Sequence, residues 1–112
     1  MTDPTATPVP TPVGLEPIWL VEATYAPDAA ESRTPFRAEH LAGVRARLAD
    51  GTYVEAGAYA DVSASVVLVR AASAEEAVRI VSDDVYLRNG VWVEVRARAF
   101  GRVVPADPAE AG

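Results

Sequence analysis

The chain of 112 residues carries 16 acidic against 10 basic residues, a net charge of −6, and is half apolar with one histidine and no cysteine. There is room for a single domain, and no cluster of basic residues that could meet phosphates, so nucleic acid is excluded as a partner. All ten basic residues are arginine, which removes lysine Schiff-base chemistry, and the missing cysteines remove disulfides, thiolate nucleophiles and thiolate metal sites.

Domains this small expose much of their surface, so a second copy that enlarges the core is expected, making a homodimer the default assembly. The N-terminus lacks a basic region followed by an apolar run, and no stretch approaches the roughly 20 apolar residues of a membrane span. The expectation is a soluble cytoplasmic protein with no membrane partner.

The opening MTDPTATPVPTPVGLEP alternates proline with threonine and small residues, which fixes φ and offers little to bury. Residues 1–17 are therefore expected as a disordered tail, residues 18–104 as the domain and residues 105–112 as a flexible C-terminal tail. IWLVEATY, Ile18 to Tyr25, is an apolar and branched run ended by APD and reads as a buried strand. SRTPFRAEHLAGVRARLADG has Pro35 near its start, Gly51 past its end and apolar residues at helical spacing, a first helix. TYVEAGAY and ASVVLVRA follow as strands, the first weakened by Gly57.

SAEEAVRIV opens with a capping box, Ser73 and Glu76, and directs Ala77, Ile80 and Val81 inward as a second helix. After the loop SDDVYLRNG, whose Asn-Gly favours a turn, VWVEVRARAF alternates from Val91 to Phe100 as a fourth strand. The order β-α-β-β-α-β is the ferredoxin-like split arrangement, an α+β fold with an antiparallel four-stranded sheet and both helices on one face. Strict alternation puts Trp92 and Phe100 on one side of the last strand and Val91, Val93 and Val95 on the other. Both faces are then apolar, and a second subunit is the simplest cover for the face without helices.

At 100° per residue, Phe36, His40, Leu41, Val44 and Leu48 fall within an arc of roughly 140° on the core side of the first helix. Arg37 and Arg47 project into that arc, and polar groups turned inward need partners. The sole histidine, His40, is thus either a half-buried ring with one nitrogen bonded and no chemistry, or a general base. An imidazole, with an ordinary pKa of about 6.5, can take a proton from a substrate carbon near neutral pH when a carboxylate fixes its tautomer. A lone histidine without thiols does not make a metal site. No G-x-S-x-G elbow, G-x-G-x-x-G run or P-loop is present, so no metal and no cofactor is expected.

TYAPD, FRAEHL, EAGAY and SDDVYLRNGVW, in this order over Ile18 to Val104, make the chain similar to the YciI-like (YCII-related) family. The resemblance implies a ferredoxin-like subunit that dimerises face to face into an α+β barrel. It also implies a His–Asp site in which His40 is the histidine of R-x-x-H-L, Arg37 its arginine and Asp84 the aspartate of D-P-[YF]. Two departures stand out: Val85 occupies the usual proline position, and AGAY lacks the proline that often follows its glycine. Without a proline to stiffen the loop, either Asp83 or Asp84 could face His40. Tyr25, Tyr59, Tyr86 and Trp92 are candidates to line a pocket and stack on a planar ligand, or alternatively to serve as core and dimer contacts.

Three functions are compatible with this reading. The first is a cofactor-independent lyase or isomerase, dehydrochlorinase-like as the resemblance implies, that abstracts a proton from a small cyclic or aromatic substrate. It would use His40 as base, Asp84 to fix the tautomer and Arg37 to face the oxyanion. The second is a cofactor-free monooxygenase acting on an aromatic polyketide-like substrate. The third is a non-catalytic ligand-binding or accessory protein.

Overall fold

A computed structural model describes residues 13–105. The elements are β1 (Val13–Tyr25), α1 (Ala29–Ser32), a 3-10 turn (Thr34–Phe36), α2 (Arg37–Ala49), β2 (Tyr53–Ala58), β3 (Ala64–Val69), α3 (Ala74–Ser82), α4 (Val85–Arg88) and β4 (Trp92–Pro105). The strands form one antiparallel sheet in the order β2-β3-β1-β4, with α2 and α3 packed on one face. This is the α+β ferredoxin-like arrangement expected from the sequence. Among the described residues no helix is long and apolar enough to cross a membrane.

The core follows from the two periodicities. Val21 and Ala23 in β1, and Val67 and Val69 in β3, alternate onto the helix side and are almost fully buried. They meet Ala77 and Val81 from α3, one turn apart on its apolar stripe. The Ser73 hydroxyl accepts the Glu76 amide at 3.1 Å and holds the start of α3. α2 ends at Asp50 and Gly51, where φ of +84° provides the left-handed residue that closes a helix C-terminus.

Four features differ from the sequence reading. β1 begins at Val13 and β4 continues to Pro105, so residues 13–17 and 101–105 pair with each other beyond the end of β3. The rest of the two stretches read as tails, 1–12 and 106–112, lies outside the described residues. The loop before β4 contains a short helix, α4.

A β-bulge changes the faces of β4. Thr24 pairs with Glu94 but Tyr25 pairs with Trp92, leaving Val93 unpaired and 59% exposed. Trp92 consequently joins Val95 and Ala97 on the helix side, away from Phe100, where strict alternation had put it opposite them. Finally, α2 has no fully buried residue, and Leu41 and Leu48 remain largely exposed. Its inward arc stands over a cavity rather than against solid core.

Val21→Ala removes two methyl groups from a site with no exposure, and is expected to cost about 2–3 kcal/mol once the cavity is included. Ser73→Ala is expected to cost about 1 kcal/mol by releasing the α3 cap. Urea midpoints at unchanged m-value read both.

Candidate active site

The site is assembled by two helices that start far apart in the chain. α2 carries His40 on its inner side, and Asp84 caps α4 from an extended backbone conformation with φ −74° and ψ 143°. The Tyr86 amide donates to Asp84 Oδ1 at 2.8 Å, while Asp84 Oδ2 stands 2.8 Å from His40 Nδ1. One carboxylate therefore satisfies a helix start and an imidazole together. Both side chains are nearly buried, His40 at 11% and Asp84 at 8% exposure.

Asp84 needs no proline after it. Val85 and Tyr86 are buried, and the amides of Asp84, Leu87 and Arg88 bond to the oxygens of Val81 and Asp84, so the turn is fixed by packing and hydrogen bonds. Asp83 points elsewhere. Its side chain is 73% exposed and lies 3.7 Å from Arg47 and 3.6 Å from Arg88. The choice left open by the sequence falls geometrically on Asp84.

An ionised carboxylate only accepts, so beside it a neutral imidazole carries its proton on Nδ1 and keeps the lone pair on Nε2. The ring plane is fixed from both directions. Tyr86 stacks on it at 3.8 Å with 8° between the planes, and Trp92 meets it edge-on at 5.4 Å. Such aromatic contacts contribute about 0.5–1.5 kcal/mol each. On one side of His40 lies a cavity of about 210 Å³ between α2 and the sheet. On the other is an open, charged groove lined by Glu39, Arg47, Asp50, Asp83 and Arg88.

Tyr25, Tyr53 and Trp92 supply the aromatic walls of the cavity, Ala56, Gly57 and Ala58 a flat floor, and Arg33 and Arg37 its positive charge. The Ser65 hydroxyl donates to Tyr25 Oη at 3.0 Å within the same wall. Two polar atoms beside His40, Tyr86 Oη and Trp92 Nε1, are buried without a hydrogen-bond partner among the described residues. Burial pushes the Tyr53 hydroxyl up to about 12; the Arg47 guanidinium above its ring opposes this, and the Asp84 and Asp83 carboxylates add to it. Burial, reinforced by Tyr25, also raises Tyr86 above the ordinary phenol value, against the opposing charges of Arg37 and Arg33. Among the described residues no three metal-ligating side chains cluster.

Of the candidate residues, His40, Arg37, Tyr25 and Trp92 line the cavity. Asp84 stands behind the imidazole and Tyr86 is stacked on its face. Tyr59 does not join them. It follows the last β2 residue, Ala58, which faces the cavity, and the next position turns outward to 53% exposure. Arg33, Tyr53 and Ser65 were missed by the sequence reading. Ser65 shares with Val67 the inward pleat of β3, a period-two signal that does not distinguish a cavity wall from core, and Tyr53 joins Ala56 on that side only through the register shift between Tyr53 and Glu55. Arg33, four residues before Arg37, was readable only as a surface charge.

The fold and the paired imidazole and carboxylate define a small ferredoxin-like α+β domain with a partly open cavity between its first long helix and the sheet. Residues 18–101, about three quarters of the chain, match the YCII-related domain, and the protein belongs to that family. No curated protein matches the sequence.

The raised tyrosines yield a pH prediction. Because the folded pKa of Tyr53 lies above the ordinary phenol value of about 10, folding favours its neutral form. That contribution is complete below pH ~10 and is lost as pH climbs toward 12. In an absorbance titration at 295 nm, Tyr53 and Tyr86 should ionise late, together with alkaline unfolding. Tyr53→Phe should remove one late transition, and its persistence in that variant would reject the assignment.

Proposed function

We propose that this YCII-family protein is a cofactor-independent enzyme, a lyase or isomerase, that removes a proton from carbon in a small cyclic or aromatic substrate. The observation that carries the reading is the 2.8 Å contact between Asp84 Oδ2 and His40 Nδ1, which leaves Nε2 as the basic atom of a ring that borders the cavity. In this reading His40 Nε2 takes the proton, and the C–H electron pair moves onto an adjacent carbonyl oxygen as an enolate or phenolate. Arg37 faces that oxygen and stabilises its charge. The imidazolium then returns the proton to another carbon in an isomerisation. In an elimination such as dehydrochlorination, the electron pair instead expels the leaving group and the proton passes to solvent. Asp84 stabilises the imidazolium formed in between.

The assembly proposed with it is a face-to-face homodimer. The sheet face without helices carries Leu20, Val66, Leu68 and Phe100 beside the charged Glu22, Arg96 and Arg98, and Phe100 is 39% exposed. The apolar part of such a face is what an isologous interface buries. Sedimentation should give the mass of two chains, and Leu68→Glu should shift it to one.

The chemistry can be followed without knowing the product, through deuterium wash-in from D₂O at the acidic carbon of cyclic enones and dihydroxybenzenes. His40→Gln is expected to lower exchange by at least about 10²-fold with the circular dichroism spectrum unchanged. Asp84→Asn keeps the α4 cap but presents an amide N–H to Nδ1. This forces the proton onto Nε2, so a loss of roughly 10²–10⁴-fold is expected. Wild-type exchange in His40→Gln, or ligand binding without any turnover, would sink the enzyme reading.

A further inference from the structure

The cavity has a charge opposite to that of the protein. Its lining includes Arg33 and Arg37 but no aspartate or glutamate, in a chain with a net charge of −6. Five other arginines, Arg47, Arg70, Arg88, Arg96 and Arg102, each have a carboxylate within ion-pair distance. Among the described residues Arg33, Arg37, Arg45, Arg79 and Arg98 have none, and of these only Arg33 and Arg37 line the cavity. They stand four positions apart along the 3-10 turn and the start of α2, and both act on the buried Tyr86 hydroxyl. Two like charges lining one cavity repel each other in the absence of an anion. Planar guanidiniums are the groups that grip a carboxylate through paired N–H donors.

The rest of the lining determines what accompanies that charge. Tyr25, Tyr53 and Trp92 offer flat apolar faces, and about 210 Å³ is small against the roughly 300–1,000 Å³ of ordinary ligand sites. A single ring fills it.

We propose that the substrate is a small carboxylic acid of about one ring, bound as the carboxylate between Arg33 and Arg37 with its body among Tyr25, Tyr53 and Trp92. The proposal rests on the proposed function only in presenting the acidic carbon to His40; the anion site stands without turnover. Arg37 has donors enough to hold the carboxylate on one edge and the developing oxyanion on the other. Arg33 is a specificity residue, because it touches the anionic end alone.

Benzoate and benzamide, alike in shape and different in charge, are the probes, titrated into the full chain by calorimetry and by two-dimensional NMR. Benzoate should bind at least tenfold more tightly than benzamide, with shifts at Arg33, Arg37 and Trp92. Raising NaCl from 50 to 500 mM should weaken benzoate and leave benzamide unchanged. Arg33→Gln and Arg37→Gln should each weaken benzoate about tenfold, whereas Arg33→Lys should recover part of the loss. Equal affinity for the two probes, or benzoate binding indifferent to both arginines, overturns the proposal. Arginine-dependent benzoate binding without deuterium exchange upholds the anion site while removing His40 as a base. Exchange on neutral enones with no preference for benzoate does the reverse.

Discussion

Everything at this site depends on one carboxylate engaged at both oxygens. Asp84 Oδ1 starts α4 through the Tyr86 amide, and Oδ2 holds Nδ1 of His40. Each contact orients the other. The capped turn fixes where Oδ2 sits, and the imidazole keeps the remaining oxygen from solvent. Removing the carboxylate would leave a nearly buried ring nitrogen and a helix amide unsatisfied together, a larger loss than either bond alone. The same turn brings Tyr86 under the imidazole, so tautomer and ring plane are set by one four-residue helix.

The position of the cavity follows from how the two long helices divide their work. α3 packs tightly, with Ala77 and Val81 fully buried against the sheet and its start capped by Ser73. α2 buries no residue completely, because its inner side carries His40, Arg37 and Val44 over open volume. Stability is thus concentrated on α3, β1 and β3, and α2 is left to carry polar groups inward. Small residues in β2, Ala56, Gly57 and Ala58, preserve the space that larger side chains would fill. The β4 bulge completes the arrangement by turning Trp92 inward, where it meets the edge of the imidazole and closes one wall.

Electrostatics separates the two sides of the imidazole. Toward the groove, Arg47 and Arg88 are matched by Asp83 and Glu39 in exposed pairs that contribute little to stability. Toward the cavity, Arg33 and Arg37 share the lining with Tyr25, Tyr53 and Trp92, and the lining holds no carboxylate. The first arrangement is a solvated surface. The second is poised for an anion, and it makes the proposed proton abstraction and the proposed substrate charge parts of one site.

The linear sequence was sufficient for the order of the four strands and two long helices, and with it the antiparallel ferredoxin-like sheet, because period-two and period-3.6 patterns, the Ser73 capping box and Gly51 are local signals. It also drew attention to His40, the only histidine, and through family resemblance to the adjacent Asp83 and Asp84. It did not distinguish Asp83 from Asp84, because both precede the same turn. Only the fold of that turn sends one carboxylate to the imidazole and the other to Arg47 and Arg88. Nor did it place Trp92, since one unpaired residue, Val93, reverses the faces of everything before it in β4. Tyr53, Ser65 and Arg33 became visible as cavity residues only in three dimensions, because a void under α2 is bounded by side chains from separate elements. No stretch of neighbouring residues records that boundary.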